Sequence, residues 1–256
     1  MQSYECKFKS SAFRVGSCAL HGLVLILIMA RFTPGFSQTI FPIQYREWEA
    51  TGFVGSSVSP KLKFRTPVSG SSQESFQTVE MHYQPGYQVG VRTAQNFDDF
   101  WSADLEYSFS DQDLTFKNLS PSIPRLSLTQ YTHNLSYNIS YLPLPPTRRF
   151  RPYADVGIGA GWFYLPGRVK KDALELGLKL RDSWELVFNL GGGMKYLLAD
   201  QFAFSFDVKY RLSGVPSYGL PDSARVVNGQ YRPGMAATGV LQNTTFSFGL
   251  IYQWDE

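Results

Sequence analysis

The side chains best suited to acyl-transfer chemistry in this chain are His133 and Ser136, three positions apart in a segment of alternating residues. A serine nucleophile must lie within hydrogen-bond reach of its histidine base. In a β-strand, successive side chains point to opposite faces, so residues three positions apart face opposite sides. The spacing argues against a Ser–His nucleophile, and we predict a protein that is not an enzyme and needs no cofactor.

A second set of chemically relevant side chains is charged and lies at alternate positions within apolar or small-residue segments. The set is Arg92, Asp104, Glu106, Asp155, Glu185, Lys195, Asp207, Lys209 and Arg211. If their segments close into a barrel, these side chains share one interior, where an unpaired charge is expensive. Two interpretations follow: a network of ion pairs that fills the lumen, or a narrow ion path that conducts.

Residue alternation predicts the elements that position these side chains. Between Phe202 and Leu212, bulky apolar residues occupy every second position, and mostly polar residues lie between them. A period of two is typical of a strand with one apolar face. The pattern predicts strands at about 47–58, 81–93, 100–110, 131–142, 153–164, 183–198, 202–212 and 241–254. We therefore predict an all-β fold, an eight-stranded antiparallel up-and-down transmembrane β-barrel within residues 38–256.

The connections between these strands alternate in length, which is typical of a membrane barrel with short turns on one side and long loops on the other. The long connections are 59–80, 111–130, 165–183 and 213–240. With both termini on the periplasmic side, these loops face outward and are the candidate sites for an extracellular ligand.

Aromatic residues cluster near the predicted strand ends, as they do where a barrel wall meets the two membrane interfaces. Near the turns lie Trp48, Trp101, Tyr141 and Tyr196, and towards the loops lie Trp162, Tyr164, Trp184 and Tyr210. We interpret these residues as two girdles in contact with membrane lipids.

The segment before Trp184 allows two interpretations. Leu174, Leu176, Leu178 and Leu180 share the phase of Trp184, so the alternation is too long for a single membrane crossing. Either the sixth strand continues beyond the bilayer, or the 165–183 loop forms a separate hairpin. We favour the extended strand.

The first 37 residues have the basic start, apolar stretch and small-residue end of a secretory signal, with cleavage expected before Gln38. Both cysteines lie in this leader, so the mature chain has neither a disulfide nor a thiolate metal site. Without the leader the basic and acidic residues balance, and we expect no nucleic-acid partner.

The end of the chain resembles the C-terminal assembly signal of bacterial outer-membrane proteins, and Ser247, Gly249, Tyr252 and Trp254 are the matching residues. Residues 47–254 as a whole resemble the small outer-membrane β-barrel superfamily, which includes outer-membrane protein A and outer-membrane protein X. The resemblance implies a bacterial outer-membrane location, both termini in the periplasm, lipopolysaccharide among the neighbouring lipids, and the barrel-assembly machinery as a partner.

Some small barrels of this kind are lipid A deacylases, whose motif places Ser two residues after the catalytic His. Here that position is Leu135. We therefore expect a non-enzymatic barrel with a structural or adhesion-type role. The alternatives are a narrow, low-conductance pore and a soluble periplasmic carrier that resembles a lipocalin.

Overall fold

The computed structural model describes residues 45–69, 75–227 and 230–255. The predicted leader and its cleavage position lie outside these residues and stay predictions. The described elements are β1 (Trp48–Val58), β2 (Leu62–Ser69), β3 (Ser75–Tyr83), β4 (Gly86–Asn96), β5 (Trp101–Ser120), β6 (Ile123–Tyr141), β7 (Phe150–Tyr164), α1 (Gly167–Glu175), β8 (Ser183–Ala199), β9 (Phe202–Gly214), β10 (Ala224–Val227), β11 (Gln230–Arg232) and β12 (Val240–Trp254).

Eight of these strands form a closed ring in the order β1, β4, β5, β6, β7, β8, β9 and β12, and β12 pairs again with β1. All pairings in the ring are antiparallel. The predicted eight-stranded antiparallel up-and-down barrel is therefore confirmed. Closure satisfies the backbone groups of every ring strand, so the ring has no open edge.

Side-chain alternation divides the barrel wall into an apolar outside and a polar inside. On β12, Phe248 is 65% exposed, whereas its neighbour Ser247 is buried. On β9, Phe204 and Phe206 point outward while Ser205 and Asp207 are buried inside. The outward residues of all eight strands form a continuous apolar belt around the ring.

The strands are strongly tilted relative to the barrel axis. Tracing paired residues once around the ring from Val58 leads back to β1 at Trp48, ten residues away from the start. The intermediate positions are Thr244, Tyr210, Leu190, Val156, Ile139, Ala103 and Gln95. Such an offset accompanies strand tilt in closed barrels. Two residues that pair on neighbouring strands therefore lie at different heights along the barrel axis.

Short connections join β4 to β5, β6 to β7 and β8 to β9 at one end of the barrel, which also holds the start of β1 and the end of β12. We call this the turn end and the opposite end the loop end. The predicted strand at 81–93 is wrong in its boundaries, because β3 ends at Tyr83 and β4 begins at Gly86. Between them Pro85 lacks the N–H that would continue a strand ladder.

The loop end is a packed unit. The four connections predicted as long loops contain strands and a helix there, so the prediction of loops is wrong. Strands β5 and β6 continue past the predicted boundaries 110 and 131 and turn only at residues 121–122. Residues 59–80 contain β2 and most of β3, and residues 213–240 contain β10 and β11. A buried apolar cluster holds these elements together, and its members include Phe64, Met81, Phe116, Leu128, Tyr218 and Met235.

Residues 167–175 form α1, so the favoured extension of the sixth strand through Leu174 is wrong, and so is the separate hairpin. Gly177, at φ +77°, ends the helix: its N–H donates to the Leu174 carbonyl, and the Leu178 N–H donates to the Ala173 carbonyl. This pair of hydrogen bonds is a Schellman motif, which requires a left-handed residue after the helix. Within the described residues, no helix is long and apolar enough to cross a membrane.

Candidate functional site

The centre of the barrel lumen contains a buried ion network around Arg92. Its Nη2 lies 2.8 Å from Glu106 Oε2 and its Nη1 lies 3.0 Å from Asp207 Oδ1. Tyr153 donates its hydroxyl hydrogen to the same Asp207 oxygen. Arg92 comes from β4, Glu106 from β5 and Asp207 from β9, so the network joins opposite walls of the ring.

Two more cations bind Glu106 from the other side. Lys209 Nζ lies 2.7 Å from Glu106 Oε2 and 3.1 Å from Asp155 Oδ2. Arg211 Nη2 lies 2.9 Å from Glu106 Oε1, and its Nη1 donates to Gln88. Every charged group of the network is at least nine-tenths buried. Such groups are stable inside a protein only when they are paired and hydrogen-bonded.

Asp104 lies at the edge of the network, 3.8 Å from Arg92 Nε, and accepts a hydrogen bond from Asn138. Lys195 lies apart, nearer the turn end, where its Nζ is 2.6 Å from Glu49 Oε2. Glu185 is half-buried near the loop end and accepts a hydrogen bond from Ser183. The lumen charges thus form a central network and a separate pair, with Glu185 in neither.

Sequence reasoning missed Glu49, because the faces of the first strand were not assigned. The signal was present, since Glu49, Thr51 and Phe53 alternate with Trp48, Ala50 and the outward positions that follow. Register fixes the face: Glu49 pairs with Gln253, which is also buried.

Above the network the lumen narrows to a cavity of about 20 Å³ lined by Arg211, Ser213 and Asn243 among others, which is room for one water molecule. Tyr218 closes the loop end above it. Its hydroxyl donates to Gln130 and lies 3.0 Å from the Tyr83 hydroxyl. Burial raises the pKa of both tyrosines, so both phenols stay neutral. Between the network and Tyr218, side chains therefore leave room for about one water molecule.

The outward face of the loop-end sheet is strongly basic. Its strand order is β11, β10, β2, β3, β5 and β6, and register places Lys63, Glu80, Lys117 and Arg125 side by side in one row. The basic residues of this face are Lys61, Lys63, Arg65, Lys117, Arg125, Arg225 and Arg232, all exposed. We call these seven residues the basic face.

One acid, Glu80, lies in the described part of the basic-face row. A hydrogen bond from Lys63, with 3.1 Å between Nζ and Oε1, lowers the pKa of Glu80 and keeps it charged. Burial, aided by Lys61 and Lys117, lowers the pKa of His82 on the same face, so His82 is neutral at pH 7. The face therefore keeps a net positive charge.

The proposed girdle residues of the turn end lie in three separate places around the ring, each beside another aromatic residue. Trp48 pairs with Trp254, and the rings of Trp101 and Tyr141 are 5.0 Å apart. Tyr196 pairs with Phe150 at the first position of β7. All of these side chains point outward.

At the loop end, three of the four proposed girdle residues lie together. Trp162 stacks on Trp184 at 5.4 Å, and Trp162 and Tyr164 are 5.2 Å apart. Tyr210 does not join them, because it pairs with Leu190, six residues nearer the turn end than Trp184 along β8. Sequence position alone could not give this difference, since it depends on strand tilt.

The C-terminal residues with the assembly pattern lie on both faces of β12. Tyr252 and Trp254 point outward, and their rings are 5.8 Å apart. Ser247 and Gly249 point inward, where a Cβ on Gly249 would lie 2.5 Å from Ser205 Oγ and 2.8 Å from Thr51 Cγ2. Packing inside the barrel therefore explains a glycine at position 249, independently of the assembly pattern.

Comparison with known proteins gives matches over nearly the whole described chain. A family model described as "Outer membrane protein beta-barrel domain" matches residues 47–253. The crystal structure of OprG from Pseudomonas aeruginosa aligns with a TM-score of 0.53 at 15% identity, covering 83% of this chain and 98% of that one. AlkL, solved in lipid bilayers, aligns at 0.49 and 12% identity, covering 87% and 97%. No curated protein sequence matches.

Proposed function

Because the chain belongs to the outer-membrane protein β-barrel family, we propose that it is a non-enzymatic surface-interaction barrel whose basic face binds an anionic partner outside the cell. The ring anchors the protein in the bacterial outer membrane, and the apolar belt faces lipid. The loop-end unit then serves as a rigid platform. Membership in this family does not fit the alternative of a soluble periplasmic carrier.

The proposed orientation places the turn end, with both chain termini, in the periplasm. Short periplasmic turns and longer extracellular connections are general in such barrels. The basic face then lies outside the cell. Lys117 is eight residues beyond Phe109, the last aromatic residue of β5 in the belt, which is about 26 Å along the strand.

The observation that carries the proposal is the basic face on a packed support. Strands β2, β3, β5 and β6 hold its charges in fixed register, and the buried loop-end cluster lies directly behind them. A fixed array of like charges attracts an anionic polymer and accelerates its association. Between the basic face and the belt, Asp111 and Asp113 on β5 accept hydrogen bonds from Tyr87 and Thr129.

The central ion network and the closed loop end of the lumen argue against the alternative of a conducting pore. The central network joins opposite walls, and Tyr218 with the loop-end cluster covers it. Planar bilayers containing the purified protein should therefore show no single-channel steps, and regular steps would favour the pore.

Binding of dextran sulfate by the full chain in liposomes tests the basic face, with uncharged dextran as the comparison. The variant K117E/R125E should bind dextran sulfate at least tenfold more weakly, and added salt should weaken wild-type binding. The matched control is R148E/R149E, which reverses two exposed charges at the turn end. No binding by wild type, or equal loss in both variants, would exclude the basic face as the binding site.

A further inference from the structure

The small cavity on the loop-end side of the ion network has a lining that is mostly polar. Its polar residues are Ser110, Thr132, Asn134, Arg211, Ser213 and Asn243. Its volume of about 20 Å³ has room for one particle of the size of a water molecule. A monatomic ion is of similar size, so the hydrogen-bonding groups of the lining decide which particle fits.

Arg211 brings a positive charge to this cavity, and its ion pair leaves one donor unused. Its Nη2 donates to Glu106 and its Nη1 donates to Gln88, but its Nε has no hydrogen-bond partner in the described structure. The whole residue is 5% exposed, so bulk water does not replace the missing partner. A buried donor without an acceptor is unfavourable. The guanidinium therefore favours an acceptor placed in the cavity.

Two neutral residues of the lining have their acceptor atoms engaged and hydrogens left over. Asn243 Oδ1 accepts a hydrogen bond of 2.8 Å from the Ser57 hydroxyl, which leaves both amide hydrogens of Asn243 unpaired. Thr132 Oγ1 accepts a hydrogen bond of 2.9 Å from Gln130, which leaves the hydroxyl hydrogen of Thr132 to donate. Both side chains therefore offer donors to the cavity.

Three more polar side chains complete the lining. The Asn134 amide and the Ser110 hydroxyl have no side-chain hydrogen bond within the described residues, so both can donate. Ser213 differs, because its hydroxyl already donates to the Gly214 carbonyl and offers lone pairs alone. A water molecule donates two hydrogens of its own, and this lining offers them few acceptors. A particle that only accepts hydrogen bonds fits the lining better.

No acid lines the cavity in the described part of the chain. Glu106 and Asp104 precede Ser110 by four and six residues on β5, so both lie nearer the turn end. Glu185 lies two residues from Val187 towards the loop end and does not line the cavity. The described lining thus combines one positive charge with hydrogen-bond donors, which favours an anion.

We propose that this cavity binds a single halide ion, such as chloride. The ion accepts hydrogen bonds from the Arg211 Nε–H, the Asn243 amide and the Thr132 hydroxyl. The bond from Arg211 is charge-assisted and therefore stronger than a bond between neutral groups. Sulfate and phosphate are too large for the volume. The site does not depend on an anionic partner of the basic face.

Anomalous diffraction from crystals of the full chain grown in sodium bromide locates the ion directly. Wild type should show a bromide peak in the cavity, within hydrogen-bond distance of Arg211 and Asn243. Asn243→Asp should lose this peak, because the carboxylate keeps the acceptor for Ser57 but puts a negative charge where the amide donates. Water without bromide in the wild-type cavity would overturn the proposal.

Thermal unfolding of the full chain in detergent is a second measurement, made at constant ionic strength. Replacing sodium gluconate by sodium chloride should raise the unfolding midpoint of wild type by about 2–4 °C, because the ion binds the folded chain alone. Asn243→Asp should abolish this shift. Thr132→Val should reduce it, since the variant keeps the shape of the side chain and removes one donor.

The matched control is Gln242→Glu, which adds the same charge one residue away, on the exposed side of β12. It should keep the full shift. An equal shift in wild type and Asn243→Asp would overturn the proposal, since it would show a general effect of the salt. Loss of the shift in Gln242→Glu would also overturn it, because net charge alone would then explain the result.

Discussion

At the scale of single residues, the structure gives Arg92 the central role inside the barrel. It contacts Glu106 and Asp207 from opposite walls and lies near Asp104, while Lys209 and Arg211 share Glu106. Removing one member of a buried ion pair leaves the charge of its partner buried and unpaired. The free-energy cost of that unpaired charge exceeds the stability that the intact pair contributes.

Arg92→Met should therefore lower the free energy of unfolding by about 3–5 kcal/mol, the usual cost of breaking a buried ion pair. Urea unfolding of the protein in lipid vesicles measures the change. Arg168→Met is the control, because Arg168 is exposed and unpaired in the described structure, and it should change stability by less than about 0.5 kcal/mol. Equal stability of the two variants would show that the network contributes little.

At the scale of elements, Gly177 ends α1 in the middle of a segment whose alternation favours a strand. Residues 174–180 alternate leucine with other residues, which favoured an extended strand. Gly177 ends a helix in the middle of this run, so Leu174 and Leu176 are exposed whereas Leu178 and Leu180 are buried. The alternation therefore comes from two different structures, the end of α1 before Gly177 and a buried non-helical segment after it, and not from a strand.

Gly177→Ala should destabilise the loop-end unit by about 1–2 kcal/mol, the cost of a left-handed conformation with a Cβ. Nothing lies within 4 Å of the added carbon, so backbone conformation is the sole steric cause among the described atoms. Gly167→Ala is the matched control, since that site is also open and has no positive φ. Protease cleavage within 165–183 should increase in the first variant alone, and equal cleavage would contradict the helix ending described here.

At the scale of the whole molecule, the ring could be predicted from sequence and the loop-end unit could not. The ring depends on alternation within each strand, and Phe202 to Leu212 shows this pattern plainly. The loop-end sheet depends on pairings such as Ala224 with Val68, which no local pattern encodes. Candidate lumen charges could be listed, but their division into a network and a separate pair needed the register.

Assembly of the whole barrel tests the C-terminal pattern. Trp254→Ala should lower the amount found in outer membranes but leave refolding into lipid vesicles unchanged, because its ring points outward and supports no lumen contact. Gly249→Asp should impair both, because its side chain would meet Ser205 and Thr51. Trp184→Ala serves as the aromatic control and should insert normally. Normal insertion of Trp254→Ala would mean that the assembly interpretation is wrong.

The parallel pairing of β10 with β2 also constrains the order in which the molecule can be completed. The edge of β2 near position 68 is covered only when residues near position 224 pair with it. The Thr66 hydroxyl likewise accepts its hydrogen bond from the Ala236 N–H only after that distant segment is in place. Contacts so distant along a chain form slowly. The β2–β3 hairpin is thus among the first segments in the chain but among the last to complete its contacts. The loop-end unit is therefore complete only after nearly the entire polypeptide is in place.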